Sequence, residues 1–146
     1  MLSLVFARCG VHLRHSQRDP LGPLGERHAA KYLKTQGYRV LGRNVRVRAG
    51  EADIVCRDPD GTTIVIVEVK ARRRRAGQPG ASAVIAPEAA VHAAKRRRLA
   101  AIARSLARLN GWDRSPMRID VVAVEWVESG SDSAPVVRHH RDAVRA

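Results

Sequence analysis

The sequence predicts one α/β domain, because patterns typical of helices and of strands alternate along a chain of single-domain length. Its 146 residues suffice for a domain that buries roughly two thirds of its unfolded surface. Apolar residues recur every three or four positions in two segments, which is the helical spacing. Four other segments are alternating or continuous apolar runs, as expected for strands. The predicted order is α, β, β, β, α, β, with a short further strand near the C-terminus.

The first helix is predicted from Leu21 to Gln36, with Gly37 ending it. Three strands follow, the first with an irregularity at Gly42. Their predicted ranges are 38–47, 51–58 and 62–70.

The second half of the chain begins with a loop over residues 77–86, which are rich in Gly, Ala, Ser and Pro. Pro87 then opens a long helix that ends near Asn110, and residues 117–127 form the fourth strand. Residues 129–135 are predicted as a loop, followed by a short strand over 136–139 and a short helix at the end. The apolar stripe of the long helix comprises Val91, Leu99, Ile102, Leu106 and Leu109.

The domain is expected to span residues 21–128, with 129–146 packing on it or trailing from it. Residues 1–20 are predicted to be a disordered N-terminal extension, because their positive charge follows the short apolar run, the reverse of a secretory signal. No apolar stretch is long enough to span a membrane. Cys9 and Cys56 match neither a zinc pattern nor a disulfide framework. We therefore expect a cytoplasmic protein without a membrane partner.

The charge balance indicates a polyanionic partner. The chain has 27 Lys and Arg against 14 Asp and Glu, a formal net charge of +13. Such an excess disfavours the compact state by self-repulsion unless an anion compensates it. Nucleic acid is the first candidate and an anionic membrane surface the second. With only one Phe, two Tyr and two Trp, stacking on bases is disfavoured, and contacts with the backbone or with nucleic-acid shape are favoured.

Four ionisable residues occupy positions where apolar residues are expected. Glu26 shares a helix stripe with Ala29, Ala30 and Leu33, while Asp53 lies on the second strand. Glu68 and Lys70 lie on one face of the third strand, roughly 6 to 7 Å apart. Asp53 is close enough in the predicted hairpin to meet them. Two converging carboxylates repel each other unless a cation lies between them, and Mg²⁺ suits one or two carboxylates with phosphate oxygens. The pattern thus favours hydrolysis of phosphodiesters.

Four sequence blocks carry a family resemblance. They are GERHAAKYLKTQGYRVLGRNVR at 25–46, GEADIV at 50–55, IVEVKAR at 66–72 and RIDVVAV at 118–124. In this order they resemble the YraN family, also called UPF0102, of small bacterial proteins. Asp53 followed by Glu68, Val69 and Lys70 resembles the D…ExK core of the PD-(D/E)XK nuclease superfamily. The resemblance implies a restriction endonuclease-like αβββαβ core with a mixed central sheet flanked by helices.

The resemblance also implies roles for individual residues. Asp53 and Glu68 would bind Mg²⁺ or Mn²⁺ together with the backbone carbonyl of Val69, and Lys70 would be the catalytic lysine. Glu26 matches a first-helix glutamate near the metal in related resolvases. Ala52 departs from the superfamily motif, which has Pro there.

Two basic clusters are expected to contact nucleic acid beside this site, although each could be only a solvated charge run. They are Arg72, Arg73, Arg74 and Arg75, and Lys95, Arg96, Arg97 and Arg98. Glu51 could be an extra metal ligand, but a solvated glutamate beside a turn is the favoured interpretation. Arg118 and Asp120 are interpreted as an internal ion pair that orders the sheet. The histidines show no spacing typical of metal ligands.

The predicted function is metal-dependent endonucleolytic hydrolysis of DNA, preferred over RNA, with branched or damaged DNA suggested by analogy with junction resolvases. A homodimer is a further hypothesis, since such resolvases cut two strands with two sites. One alternative is a nucleic-acid-binding protein of the same fold that cuts nothing. Another treats the carboxylates and Lys70 as a structural ion-pair network.

Overall fold

The computed structural model describes residues 21–77, 93–128 and 134–144. The chain there forms a mixed sheet in the order β1-β2-β3-β4-β5. β3 and β4 are parallel, and the other neighbouring strands are antiparallel. The elements in chain order are α1 (Leu21–Thr35), β1 (Arg39–Val47), β2 (Gly50–Arg57), β3 (Ile64–Arg75), α2 (Ala93–Asn110), β4 (Met117–Glu128) and β5 (Val136–Val144).

The two helices cover opposite faces of the sheet. Ala29, Ala30 and Leu33 of α1 pack in one core with Val65 and Val67 of β3. The other core holds Ile64 and Ile66 of β3 together with three buried residues of α2, Leu99, Ile102 and Leu106. Successive residues of a strand point to opposite faces of the sheet. Residues 64–67 of β3 are all apolar because both faces of the strand are buried there. The predicted α/β class, with a mixed central sheet flanked by helices, is confirmed.

α1 ends as predicted and packs closely on β3. Gly37 has a φ of 83°, and Tyr38 N donates a hydrogen bond to Leu33 O over 3.0 Å. This is the left-handed ending that glycine favours. Nearer its start, a Cβ added to Gly25 would lie 2.5 Å from the Cβ of Ala71. Glycine at position 25 therefore allows α1 and β3 to approach each other.

The predicted irregularity in β1 is also present. The pairing of β1 with β2 changes register between Val40 and Gly42. The extra residue bends the strand locally without ending it.

Several predicted boundaries are wrong. β3 extends to Arg75 and not to Lys70, because β4 pairs with it along its whole length. Ladder hydrogen bonds join backbones and do not require apolar side chains. β5 runs to Val144 along β4 where a short strand and a helix were expected. Leu109, which was predicted on the apolar stripe of the long helix, is 73% exposed. Trp112 is buried instead, in the core that α2 forms with β3.

Some predictions lie outside the described residues. These are the N-terminal extension, the loop after Gly77, the start of the long helix at Pro87 with Val91, and the loop over 129–133. Neither of the two described helices has the combination of length and apolar character that crossing a membrane requires.

Candidate active site

The site begins where the backbone pairing between β2 and β3 ends. The two strands pair from Arg57 with Ile64 to Ile54 with Val67. At the next position of β2, Asp53 Oδ2 accepts a hydrogen bond from the backbone N–H of Val69 over 2.7 Å. The carboxylate thus satisfies a donor of β3 beyond the last backbone pair. This bond fixes the Asp53 side chain beside Glu68.

Glu68 is almost completely buried and is bound by two lysines. Its exposed fraction is 5%. Lys70 Nζ donates a hydrogen bond to Glu68 Oε1 over 3.0 Å, and Lys95 Nζ of α2 lies 3.1 Å from the same oxygen. The side chains of Lys70 and Lys95 are 46% and 38% exposed. Glu68 therefore holds two positive charges where the chain meets solvent, and these charges offset the cost of burying its own.

A cleft of about 410 Å³ opens in front of these side chains. Its lining residues come from the start of α1 and from β2 and β3: Leu21, Gly22, Pro23, Glu26, Asp53, Glu68, Val69, Lys70 and Ala71. Glu26 Oε2 accepts a hydrogen bond from Asn44 Nδ2 over 2.9 Å. Asn44 has a φ of 50°, in the left-handed region that Asn tolerates better than most residues. β1 thus helps to position the α1 glutamate.

The electrostatics of the cleft centre on Asp53. The pKa of Asp53 is raised from 3.8 to about 6, and burial is the largest cause. The negative charges of Glu68 and Glu26 also contribute to the raised pKa, whereas the Val69 hydrogen bond and the charge of Lys95 oppose it. Three carboxylates from three elements therefore influence one another. Such convergence favours either a proton or a cation among them.

The structure brings together all five predicted residues of the site. Glu26, Asp53, Glu68, Val69 and Lys70 line the same cleft. Glu51 is not among the lining residues; its Oε2 accepts a hydrogen bond from Arg46 Nε over 2.7 Å on the neighbouring strand.

Sequence reasoning did not assign two residues to the site. Lys95 was expected only on a basic surface, yet it contacts Glu68. Asn44, which holds Glu26, was not predicted at all. Neither residue has a spacing pattern in the sequence that would predict this role, because each contacts a carboxylate of the cleft from an element whose position depends on the tertiary fold.

The predicted arginine cluster at the end of β3 is divided by strand alternation. Arg72 Nε and Arg74 Nε donate hydrogen bonds to the buried Glu125 over 2.8 and 2.6 Å. Arg73 and Arg75 are exposed. On α2, residues 96–98 are exposed as predicted for a basic surface. The four arginines of β3 therefore do not form a uniform surface.

Arg118 and Asp120 form the predicted internal ion pair within a larger buried network. Arg118 Nε lies 2.7 Å from Asp120 Oδ1, and Arg118 Nη2 lies 2.7 Å from Asp58 Oδ2. His139 Nε2 lies 2.7 Å from Asp120 Oδ2. Although burial raises the pKa of Asp120, the bonds from His139 and Arg118 outweigh it and hold the pKa below its ordinary value. These bonds join the start of β4 to Asp58, which follows β2, and to His139 in β5.

The donor set of the cleft fits a hard divalent cation with few protein ligands. Among the described residues, no three His, Cys, Asp or Glu side chains are arranged to hold a metal. Asp53 Oδ1 and Glu68 Oε2 accept no hydrogen bond from that part of the chain. Mg²⁺ commonly binds one or two carboxylates and completes its shell with water and phosphate oxygens. Two carboxylates with one uncommitted oxygen each match this requirement.

Comparison with known proteins gives the family. The model of "Uncharacterised protein family UPF0102" matches residues 25–124. A UPF0102 protein of Symbiobacterium thermophilum is 50% identical over 107 residues, 72% of this chain and 81% of that protein. One from Anaeromyxobacter dehalogenans is 42% identical over 122 residues, 84% of this chain and 81% of that protein.

One solved structure has a limited similarity to this chain. The EndoMS–dsDNA2 complex aligns with a TM-score of 0.37 and 18% identity, over 84% of this chain and 43% of that chain. The family model spans most of the described domain, and its matched range contains Glu26, Asp53, Glu68 and Lys70. The chain belongs to the UPF0102 family.

Proposed function

We propose that this protein is a metal-dependent endonuclease that hydrolyses phosphodiester bonds of DNA. The observation that carries the proposal is the cleft in which Asp53, Glu68 and Lys70 meet. The D…ExK resemblance supports the same assignment. A cleft with two carboxylates and a half-exposed lysine suits a phosphate, because cations stabilise the charge that develops on its oxygens during hydrolysis.

Asp53 and Glu68, with the backbone carbonyl of Val69, would hold Mg²⁺ or Mn²⁺. When bound, such an ion supplies Lewis acidity at a phosphate oxygen and lowers the pKa of a coordinated water. The chain's own contribution is to fix the carboxylates before the ion arrives. Asp53 is oriented by the Val69 N–H, and Glu68 by two lysines. Fixed ligands of this kind reduce the reorganisation that binding requires.

Lys70 is the residue best placed to contact the substrate. Its Nζ has three donors, one of which is given to Glu68 Oε1. The side chain is 46% exposed and lines the cleft. The remaining donors can bind a non-bridging phosphate oxygen and stabilise its negative charge. Glu68 holds the ammonium group in place while it does so.

The substrate class follows from charge and composition. A net charge of +13 favours a polyanion, and the few aromatic residues favour backbone contacts over base stacking. We propose DNA over RNA, and branched or damaged DNA as the preferred form. A homodimer would place two such clefts on two strands.

A binding protein that does not cut is the second candidate. The shared contact of Lys70 and Lys95 with Glu68 favours it, because two ammonium groups already neutralise the buried carboxylate without a metal. In that case the cleft would bind phosphate through its lysines alone. Affinity for nucleic acid would then be independent of divalent ions.

A cleavage panel separates the two candidates. Wild type, Lys70→Ala and Asp53→Ala are incubated with duplex, single-stranded, flap and four-way-junction DNA and with RNA. Each substrate is tested with Mg²⁺, with Mn²⁺ and with a chelator. We expect cutting by wild type only in the presence of metal, preferentially at the junction, and none by either variant. Circular dichroism of the variants provides the folding control.

The binding and cleavage results distinguish a nuclease, a binding protein and a structural ion-pair network. Salt-sensitive binding by all three proteins without cutting would reject the nuclease and support the binding protein. Cutting that survives both substitutions would indicate a contaminating nuclease. If Glu68→Ala unfolds the protein and wild type binds neither metal nor nucleic acid, the site is a structural ion-pair network.

A further inference from the structure

A second cluster of charges lies on the same face of β3 as Glu68 and Lys70. Its centre is Glu125 of β4, whose side chain is 1% exposed. Arg72 Nη2 lies 2.7 Å from Glu125 Oε2, and Arg74 Nε lies 2.6 Å from Oε1. Arg138 Nη1 of β5 lies 3.9 Å from Oε2. Three guanidinium groups thus surround one buried carboxylate.

Two of the arginines in the cluster carry donors that Glu125 does not satisfy. Among the described residues, Arg72 Nη2 and Arg138 Nη1 are buried nitrogens without a hydrogen-bond partner. Arg72 Nη2 is close to Glu125 but outside hydrogen-bonding geometry, and Arg138 Nη1 is too distant. Buried donors without acceptors are rare, and a bound anion is one way to satisfy them.

The position of the cluster relates it to the cleft. Arg72 follows Lys70 on the same face of β3, so their Cα atoms are roughly 6 to 7 Å apart. Arg72 is opposite Glu125, and Ala123, opposite Lys70, pairs with Arg138 of β5. Lys70, Arg72 and Arg138 therefore surround one area of the sheet surface. A nucleic-acid strand whose phosphate contacts Lys70 has its next phosphate within reach of the cluster.

We infer that Arg72 and Arg138 form a second phosphate site, organised by Glu125, that binds the backbone phosphate next to the one in the cleft. This inference deepens the proposed function and rests on it. Guanidinium groups bind phosphate oxygens through paired hydrogen bonds, which a lysine does not provide. Glu125 is a positioning residue, because it holds Arg72 through its Nε atom, whereas Arg72 Nη2 has no hydrogen-bond partner among the described residues.

The test is the salt dependence of DNA binding without cleavage. A fluorescein-labelled DNA duplex is titrated with wild type and Arg138→Gln in a chelator, and anisotropy gives the dissociation constant at several KCl concentrations. Losing one phosphate contact should reduce the slope of log affinity against log salt by about 0.9. Arg141→Gln is the matched control, since Arg141 lies on β5 but its Nη2 donates to Asp58 in the other network.

A second variant tests the hydrogen-bond geometry. Arg72→Lys preserves the positive charge and removes the paired N–H donors of the guanidinium group. The slope of log affinity against log salt should therefore stay close to that of wild type, while the affinity for DNA falls. Inorganic phosphate at constant ionic strength forms a separate arm, read by thermal unfolding of wild type and Arg138→Gln.

Each outcome has one interpretation. A reduced slope for Arg138→Gln with an unchanged slope for Arg141→Gln supports the site. Equal reductions in both overturn it, because they would reflect net charge alone. Protection of wild type by free phosphate, with no change in the DNA slope of Arg138→Gln, overturns the backbone assignment. If wild type shows no salt-dependent binding of DNA, the proposed function itself fails.

Discussion

Lys95 Nζ lies 3.1 Å from Glu68 Oε1 and so connects α2 to the centre of β3. The same oxygen accepts the hydrogen bond of Lys70. The carboxylate predicted as a metal ligand is thus also the group that binds two lysines, of which Lys70 lines the cleft. The charge of Lys95 extends to Asp53 as well, whose pKa it lowers.

We expect Lys95→Met to raise the pKa of Asp53 above its value of about 6, because a positive charge that stabilises the Asp53 carboxylate is removed. Carbon-13 NMR of the aspartate carboxyl groups, titrated with pH in metal-free protein, measures the change. Arg97→Met is the control, since Arg97 is an exposed cation on the same helix. An equal Asp53 pKa in the two variants would contradict the proposed coupling.

Asp53→Asn should stabilise the metal-free protein above pH 6. Folding raises the pKa of Asp53 from 3.8 to about 6, so the folded state favours the protonated form. The contribution of Asp53 to the free energy of unfolding is most favourable below its pKa in the unfolded state, 3.8. This contribution is lost as the pH rises through its pKa in the folded state, about 6. The variant should therefore gain up to about 3 kcal/mol near neutral pH and little near pH 4. Asparagine keeps an acceptor for the Val69 N–H.

Urea denaturation of wild type and Asp53→Asn, at several pH values from about 4 to neutral, measures the difference between their free energies of unfolding. Other titrating groups are common to both proteins and cancel in that difference. A stability gap that stays constant with pH would contradict the raised pKa.

Gly25→Ala should destabilise the fold and disturb the cleft. The new methyl group would lie 2.5 Å from the Cβ of Ala71, which forces α1 away from β3. Overpacking of this kind costs about 1–3 kcal/mol, more than the roughly 1 kcal/mol that alanine gains over glycine within a helix.

Gly22→Ala in the same helix is the matched control, because no heavy atom lies within 4 Å of its added Cβ. Thermal or urea unfolding compares the two. A Gly25→Ala protein as stable as Gly22→Ala would show that the helix and strand are not in close contact.

Arg118→Met should be strongly destabilising. It removes the guanidinium that binds Asp120 and Asp58 and leaves two buried carboxylates with fewer partners. Loss of one partner of a buried ion pair costs about 3–5 kcal/mol. Arg46→Met breaks the Arg46–Glu51 pair, whose side chains are 46% and 24% exposed. It should cost at most about 1 kcal/mol. Urea unfolding measures both, and equal losses would reject the structural role of Arg118.

Much of the candidate site could be predicted because its residues violate their local pattern. Glu68 and Lys70 follow four aliphatic residues on β3, and Asp53 lies within another strand. An ionisable group in a predicted core position is costly without a partner, so the sequence itself indicates a site. The same reasoning identified Glu26 from its place on the packed stripe of α1.

Other features were decided by tertiary structure. The predicted end of β3 at Lys70 was wrong because charged side chains suggested solvent, whereas pairing with β4 continues the strand. That pairing also places Arg72 and Arg74 on Glu125, more than fifty residues away along the chain. Side-chain polarity is local information, but strand pairing depends on backbone groups that are the same in every residue.

By itself, the sequence determined the α/β class, the order of most elements and the carboxylates and lysine of the cleft. Those features depend on hydrophobic periodicity and on charges that interrupt it, both of which are written in neighbouring residues. Only the tertiary structure decided which distant side chains bind each buried or cleft-lining carboxylate: Lys95 at Glu68, Asn44 at Glu26 and Arg138 at Glu125. Ion pairs act over a few ångströms in space, and separation along the chain does not predict that distance.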